Sequence, residues 1–382
     1  MKTFRAPIRS GVALALASLP AVSHAQSSVT LYGILDAGIT YVSNTGGSHV
    51  VKFDDGISYG NRWGIKGKED LDLGNGLAAV FGLESGFKLG TGRLTFGGAE
   101  FGRQAYVGLS SPWGTVSFGD QLDMTEEMVF LYNVSAWASG YAIHQGDFDR
   151  FNGDRLPNSV KFMSNDIDGF KFGGMWSFGN VAGNFHQASA YSVGAHYAHG
   201  PFTMGAAYTQ LNNPNGIYAF DPYAMIGTRT FLGRPTVSVD PATGAVTDLY
   251  SSTAFAVDKQ GTFGIGASYA LGPVTLMGNY SYTTIKAFGQ SSHMQVGEGG
   301  ASWSVTPAFS VDGGYPYTNF EGHHWNQVSA GLHYLLSKRT DVYVSGDYLK
   351  ASRGVDAVIG YSFAPSTTST QADIRIGMRH SF

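Results

Sequence analysis

The chain ends in ADIRIGMRHSF, residues 372–382, in which apolar and polar side chains alternate. One face would carry Ala372, Ile374, Ile376, Met378 and Phe382, and the other would carry Asp373, Arg375, Arg379 and Ser381. A period of two predicts a β-strand whose two faces meet different surroundings. The same alternation occurs at 28–42, 170–178 and 202–208. The chain is therefore predicted to be built of strands, although a soluble β-sandwich would alternate in the same way.

The connections between strands separate these two possibilities. Seven connections are predicted to be short, at 70–76, 111–114, 165–169, 199–201, 271–273, 304–307 and 337–340. Eight longer ones lie between them, near 44–56, 90–99, 123–156, 180–189, 211–260, 287–293, 319–325 and 352–370. Short and long connections alternate, and fifteen connections imply sixteen strands. An even strand number with short periplasmic turns and long outer loops is typical of a transmembrane β-barrel, and about 16 strands leave an aqueous lumen.

The composition agrees with a membrane barrel. The 382 residues include 53 glycines, 21 tyrosines and 25 phenylalanines, and only 14% are charged, against about 25% in soluble domains. Beyond the N-terminus no run of about 18 apolar residues predicts a spanning helix. A closed barrel satisfies its backbone hydrogen bonds between strands and needs no such helix. We therefore predict an all-β fold, a 16-stranded antiparallel transmembrane β-barrel.

The first 25 residues have the pattern of a secretory signal peptide. Lys2, Arg5 and Arg9 precede a short apolar run at 11–19, and a small-residue cleavage site ends at Ala25. Residues 26–382 would then form the barrel. The signal carries three positive charges and no negative one, so the formal net charge changes from −4 to −7. This mild acidity gives no basic surface for nucleic acid, and the absence of Cys excludes a disulfide framework.

Motifs that carry catalysis do not appear in the sequence. It contains no G-x-S-x-G, no H-E-x-x-H and no phosphate-binding loop. His196 and His199 are three residues apart on a predicted strand and therefore lie on opposite faces. We expect no catalytic residue, no metal site and no cofactor.

The phase of each strand predicts which charged side chains face the lumen. Trp63 and Ile65 would face lipid, so Arg62 and Lys66 would face inward. The same reasoning directs Arg103, Lys161, Arg375 and Arg379 inward, with Arg375 nearer the periplasmic mouth. A charge at the lipid midplane would cost about 2–4 kcal/mol, which favours this assignment.

Six segments together resemble the trimeric general porins of the betaproteobacterial branch. They are SVTLYGILDAG at 28–38, NRWGIKG at 61–67, GRQAYVGLS at 102–110, NSVKF at 158–162, LSKRTDVY at 336–343 and IGMRHSF at 376–382. They span the mature chain in the expected order. Two features depart from the family pattern: the long 211–260 loop, and a third loop that lacks a Pro-Glu-Phe-Gly-Gly stretch.

The resemblance implies an outer-membrane homotrimer that passes ions and small hydrophilic solutes, in contact with outer-membrane lipid and lipopolysaccharide. It implies that the third loop, about 123–156, folds into the barrel and that the assembly machinery reads the terminal Phe382. It also implies a basic wall at the constriction, formed by Arg62, Arg103 and Lys161. The facing acids would come from the third loop, with Glu126, Glu127, Asp147 and Asp149 as the candidates.

Several alternatives remain open from the sequence. Each arginine could be neutralised by a wall acid such as Asp36, Glu84 or Asp373. The barrel could be a substrate-specific porin, an outer-membrane enzyme, or an adhesin or receptor with a plugged lumen. The sequence leaves the choice between anion and cation selectivity open, because acidic loops and a basic constriction act in opposite directions.

Overall fold

The computed structural model describes residues 28–71, 75–217, 219–360 and 363–382. The predicted signal peptide, 1–25, lies outside these ranges, as do residues 72–74 of the first predicted turn. In the described ranges, no helix combines the length and the hydropathy that crossing a bilayer requires.

The described residues form a closed antiparallel β-barrel. Its strands, in chain order, are β1 Ser28–Thr45, β2 Ser48–Asp55, β3 Arg62–Asp70, β4 Ala78–Gly86, β5 Gln104–Ser111, β6 Gly114–Leu122, β7 Arg155–Ser164, β8 Phe170–Ser177, β9 Ala190–His199, β10 Phe202–Asn212, β15 Lys259–Leu271, β16 Val274–Ala287, β17 Gln290–Thr306, β18 Phe309–Phe320, β19 His323–Ser337, β20 Thr340–Ala351 and β21 Thr370–Ser381. Four short strands lie in the loop between β10 and β15: β11 Thr230–Phe231, β12 Arg234–Pro235, β13 Val237–Val239 and β14 Val246–Asp248.

Pairing of the first strand with the last closes the barrel. Tyr41 pairs with Ile374 along the β1–β21 seam, and β1 also pairs with β2 and β3 on its other side. β2 and β3 are two parts of one barrel strand, interrupted at residues 56–61, because both pair with β1 on the same side. The seventeen strands of the sheet therefore make a barrel of sixteen strands. The predicted fold class is therefore confirmed.

Three of the predicted long outer connections are in fact tight turns. β1 and β2 are joined by Gly46-Gly47, β16 and β17 by Phe288-Gly289, and β18 and β19 by Glu321-Gly322. All six of these residues have positive φ angles, between 49° and 100°, which suits two-residue hairpin turns. The strands therefore run further outward than predicted, and the long outer segments are 87–103, 123–154, 178–189, 213–258 and 352–369.

Exposed tyrosines lie mainly on one side of the barrel. Seven of them lie on strands between β9 and β20, namely Tyr197, Tyr269, Tyr280, Tyr315, Tyr317, Tyr334 and Tyr348. On the arc formed by β21 and β1–β7, Tyr41 is the one exposed tyrosine among the described residues. The exposed side chains of this arc are instead largely aliphatic or phenylalanine, such as Val107, Phe118 and Ile376. The two sides of the barrel therefore present chemically different surfaces.

A packed apolar cluster occupies part of the outer half of the lumen. Phe148 of the third loop packs against Phe231 of the 213–258 loop, Phe231 packs against Phe255, and inward wall residues such as Trp325 belong to the same cluster. The Trp325 indole N–H donates to the Ile226 carbonyl at 3.2 Å. The open passage is thereby displaced to the opposite wall.

Candidate functional site

The third loop, residues 123–154, lies inside the barrel against its wall. It contains α1, Met124–Met128, and α2, Val134–Ser139. The Asp123 carboxylate caps α1 by accepting from the Glu126 N–H at 3.0 Å, as residues of this type do at helix starts. Met124, Val129 and Val134 are fully buried against the wall. The predicted inward fold of this loop is confirmed.

Glycines on the wall allow the loop to approach closely. A Cβ added at Gly205 would lie 1.9 Å from the Met128 carbonyl oxygen, and one at Gly331 would lie 2.0 Å from the Ala138 carbonyl oxygen. Any side chain at these two positions would displace the loop. Close packing of α1 and α2 against the wall therefore explains part of the high glycine content.

Lys161 and Glu127 form an ion pair that holds α1 on the wall. The Lys161 ammonium lies 2.5 Å from Glu127 Oε1 and donates to the Leu122 carbonyl at 2.9 Å. The Lys161 side chain is only 8% exposed. The inward phase predicted for Lys161 is correct, but the side chain lies beneath the loop. Strand phase alone cannot reveal such a covering segment.

The second anchor of the loop is a buried histidine between two carboxylates. His144 Nδ1 lies 2.6 Å from Asp149 Oδ2, and its Nε2 lies 3.2 Å from Glu298 Oε2 on β17. Ser281 Oγ also donates to Asp149, at 2.6 Å. Burial would lower the pKa of His144, but the two carboxylates outweigh it and raise this pKa to about 10. Asp149, which the sequence predicted to face the pore, therefore helps His144 to hold the third loop in place.

Three arginines border a cavity of about 1100 Å³ between the third loop and the wall: Arg62, Arg103 and Arg155. Arg103 Nε donates to Glu84 Oε1 at 2.6 Å, and Arg62 Nη1 lies 3.9 Å from the same oxygen. Arg155 donates to the Arg103 carbonyl. Glu84 is the one acid in ion-pair contact with these arginines among the described residues.

Arg155 is the residue that sequence reasoning missed. It begins β7, whereas the sequence assigned it to a third loop ending at 156. Arg155 lies six residues before Lys161, so uninterrupted alternation would place both on the inward face, and the predicted loop boundary at 156 is what excluded Arg155 from the predicted wall. The β6–β7 register does shift between Gly119 and Gln121, so a bulge separates the two residues.

Two of the predicted loop acids, Glu126 and Asp147, do border the cavity, together with Asp154 and the wall residue Asp120. Glu126 Oε2 accepts from the Gly153 N–H at 2.6 Å. Burial, aided by Asp123 and Asp154 and opposed by this hydrogen bond, raises the pKa of Glu126 to about 8. Burial and the neighbouring Asp154 and Asp149 hold the pKa of Asp147 well above its usual range. Both acids therefore carry less negative charge at neutral pH than their residue types suggest.

An aromatic surface accompanies the arginines. The Arg155 guanidinium lies 4.6 Å from the centre of the Phe96 ring, and the Arg103 guanidinium lies 5.9 Å from it. Phe130 and Trp137 of the third loop line the same cavity. The passage thus presents fixed guanidinium groups beside apolar ring faces.

Arg375 does not lie near the periplasmic mouth and does not face open water. Its guanidinium lies 2.9 Å from Asp36 Oδ1, donates to Thr40 Oγ1 at 3.0 Å, and is fully buried. Thr40 in turn hydrogen-bonds Tyr141 of the third loop at 3.0 Å. Arg375 pairs in register with Thr40, in the outer half of β1. The prediction for its position was wrong, because the third loop covers it and Asp36 neutralises it.

The remaining predicted residues lie closer to the periplasmic turns. Arg379 Nε donates to Asp341 at 2.8 Å and borders a second cavity of about 430 Å³. Lys66 is exposed, with its ammonium 5.4 Å from the centre of the Tyr32 ring. The backbone of Phe382 exchanges two hydrogen bonds with Gly33, at 3.0 and 3.1 Å, at the seam of the barrel.

Comparison with known proteins agrees with this architecture. The family described as Gram-negative porin matches residues 12–354. An outer membrane porin protein of Bordetella pertussis is 29% identical over 96% of this chain and 97% of its own length. The major outer membrane protein P.IB of Neisseria gonorrhoeae is 28% identical over 93% of this chain and 97% of its own length.

Among solved structures, the anion-selective porin from Comamonas acidovorans superposes with a TM-score of 0.72 at 22% identity, covering 94% of this chain and 100% of that one. A trimer form of the outer membrane protein OmpT of Vibrio cholerae superposes with a TM-score of 0.64 at 16% identity, covering 93% of this chain and 99% of that one. At these identities the two structures share the fold.

Proposed function

The chain belongs to the Gram-negative porin family and forms a passive channel in the outer membrane, and on this basis we propose that the channel favours small hydrophilic anions. The observation that carries the proposal is the charge at the cavity. Three arginines border it, and one wall carboxylate, Glu84, is in ion-pair contact with them. A ring of fixed cations sorts permeating ions by charge.

The four acids predicted from the third loop are paired or hold a proton more tightly than usual, while Asp55, Asp120 and Asp154 also border the cavity. Glu127 is paired with Lys161, and Asp149 with His144. Glu126 and Asp147 have raised pKa values. Since charges are screened over about 8 Å at physiological ionic strength, the nearby arginines dominate the potential that a passing ion meets.

The chemistry of the arginines narrows the solute class. A guanidinium presents donors in a planar fork that matches carboxylate and phosphate groups, and it stays charged at all physiological pH values. Phe96 beside Arg103 and Arg155 adds an apolar face. Small carboxylates and inorganic phosphate are therefore the expected solutes, with size limited by the apolar cluster in the outer lumen.

The surface of the barrel supports a homotrimer. Tyrosine favours the boundary between hydrocarbon and water. On the arc formed by β21 and β1–β7 only Tyr41 is an exposed tyrosine among the described residues, so this arc is the side proposed to pack against neighbouring copies. The Vibrio cholerae protein with the same fold is described in a trimer form.

We also propose how the chain is exported and assembled. Residues 1–25 would direct export, and the assembly machinery would recognise Phe382, which lies at the barrel seam. Outer-membrane lipid and lipopolysaccharide would surround the tyrosine-rich side. The family and the fold support a channel.

Planar-bilayer recording of the purified protein tests the proposal. In a potassium chloride gradient the reversal potential should have the sign of a chloride-preferring pore. A potassium-preferring pore would refute the anion preference, and a barrel that inserts without conducting would favour the receptor alternative.

A further inference from the structure

The break in one barrel strand lies against the third loop. Between β2 and β3, at residues 56–61, the chain leaves the sheet. This segment is held in place, since the Ser58 N–H donates to Asp36 Oδ2 at 3.1 Å. A Cβ added at Gly140, the residue after α2, would collide with the Ile57 carbonyl oxygen. The segment between β2 and β3 therefore touches the end of α2.

Two aromatic side chains at this contact border both cavities of the lumen. Tyr59 of the strand break and Trp137 of α2 line the large cavity that contains the arginines, and both also line the second cavity of about 430 Å³. Their ring centres lie 5.7 Å apart, and the Phe130 ring lies 5.1 Å from that of Trp137. A solute that moves from one cavity to the other therefore passes these three rings, the aromatic row.

The aromatic row keeps part of its apolar surface free. All three side chains are partly exposed, and neighbouring rings are tilted by 49° and 44°, so that none covers the face of the next completely. Leu131, which lines the second cavity beside them, is 49% exposed. Trp137 Nε1 donates to the Leu131 carbonyl at 3.3 Å, which fixes the indole. Apolar surface of this kind inside a water-filled passage is available to an apolar group of a solute.

Guanidinium groups surround the tyrosine end of the aromatic row. A Cβ added at Gly60, the residue after Tyr59, would lie 3.0 Å from Arg103 Nη1 and 3.7 Å from Arg62 Nη2. The Arg379 guanidinium lies 4.6 Å from the centre of the Tyr59 ring. Arg379 has a wall carboxylate of its own at 2.8 Å, whereas the two arginines at Gly60 share one acid. These two are therefore the expected partners of an anion.

We propose that the junction of the two cavities binds aromatic carboxylates, of which benzoate is the simplest. The carboxylate would pair with Arg62 and Arg103, because the planar donors of a guanidinium match it. The ring would lie against Tyr59 and Trp137 in the tilted or offset arrangement that aromatic pairs prefer. This inference narrows the solute class and rests on the proposed anion preference.

The open geometry suits a site from which the solute leaves again. The junction opens on one side to about 1100 Å³ and on the other to about 430 Å³, so that a single ring can enter from either cavity. Conduction requires binding that is weak enough for release. Binding should therefore reduce the ion current reversibly and should not close the channel.

Single-channel recording in potassium chloride, with potassium benzoate, acetate or cyclohexanecarboxylate added, tests the site. Benzoate should halve the current at a concentration roughly fivefold or more below that of acetate, because the ring contact adds to the charge contact that both share. Cyclohexanecarboxylate has a ring of similar size without an aromatic face and should require more than benzoate. Equal concentrations for benzoate and acetate would overturn the proposal, as would equal concentrations for benzoate and cyclohexanecarboxylate.

Variants of the aromatic row locate the site. Trp137→Leu and Tyr59→Leu should each raise the half-blocking concentration of benzoate several-fold, while the acetate response and the reversal potential in potassium chloride stay unchanged. Trp137→Phe keeps an aromatic face and should retain most of the benzoate response. Trp113→Leu is the matched control, because Trp113 is 79% exposed in the turn between β5 and β6, and it should behave like the unchanged protein.

The readouts separate this inference from the proposed anion preference. A chloride-preferring pore on which benzoate and acetate act alike would overturn the aromatic site alone. Benzoate block that survives in both leucine variants would also overturn it. A potassium-preferring pore would instead refute the anion preference, and the inference that rests on it would fall as well.

Discussion

Arg103 Nε lies 2.6 Å from Glu84 Oε1 on the wall of the cavity. This carboxylate also lies 3.9 Å from Arg62 Nη1, while Arg155 has no ion-pair partner among the described residues. The positive charge of the three arginines is therefore only partly balanced by the acid in contact with them. The proposed anion preference depends on this imbalance.

Removing the one paired carboxylate should increase the preference for anions. Glu84→Gln leaves three arginines without an acid in contact, so the reversal potential in a salt gradient should move further towards that of chloride. Glu69→Gln, at an exposed acid on β3, is the control and should leave the reversal potential unchanged. A shift towards potassium in Glu84→Gln would show that Glu84 does not act through its charge.

Selectivity should depend on pH through Glu126. Its pKa is raised to about 8, chiefly by burial, so raising the pH from 7 to 9 adds negative charge to the cavity and should weaken the anion preference. Glu126→Gln should remove this dependence. The same raised pKa means that the folded state binds the proton more tightly than the unfolded state. Stability should therefore fall as the pH rises from about 4.5 through 8, and less so in the variant; identical profiles would contradict this assignment.

The His144 anchor should stabilise the barrel at neutral pH. His144→Leu leaves Asp149 and Glu298 buried without their shared partner, and breaking a buried pair of this kind costs about 3–5 kcal/mol. Because the pKa of His144 is raised to about 10, its contribution is complete below about 6.5 and is lost as the pH rises through 10. Thermal unfolding of both proteins between pH 6 and 11 should show their midpoints converging at high pH. If the difference between the two thermal midpoints stayed constant with pH, His144 would stabilise the loop by packing and not by its charge.

The seating of α2 should depend on Gly331. Gly331→Ala places a Cβ 2.0 Å from the Ala138 carbonyl oxygen, and overpacking of this kind costs about 1–3 kcal/mol. The displaced loop should lower the single-channel conductance and the thermal midpoint. Gly297→Ala is the matched control, since a Cβ at Gly297 meets no atom within 4 Å. Equal effects of the two substitutions would mean that close approach of the loop is not the cause.

The alternation of side chains predicted the strands, and the alternation of short and long connections predicted the barrel and its sixteen strands. Side-chain alternation also directed Arg62 inward, where β3 begins, whereas Arg103 lies just before β5, so its place at the cavity does not follow from strand alternation. Alternation could not predict that residues 46–47, 288–289 and 321–322 form tight turns, since the flanking segments are polar enough to resemble loops.

The wrong predictions about the lumen-facing residues have a different cause from those about the turns. Lys161 and Arg375 point inward as predicted, but the third loop covers both, and this depends on contacts between residues far apart in the chain. Arg155 was missed because the third loop was predicted to end at 156, whereas β7 already begins at Arg155. Strand phase therefore predicts which way a side chain points, and the packing of the loop decides whether an ion can reach it.

Replacing Arg62, Arg103 and Arg155 together with glutamine tests the central claim most directly. The reversal potential in a potassium chloride gradient should show chloride preference for the unchanged protein and a clear shift towards potassium for the triple variant. Lys338→Gln, in the exposed periplasmic turn, should behave like the unchanged protein. Equal reversal potentials for the unchanged protein and the triple variant would contradict the claim that these three arginines set the selectivity.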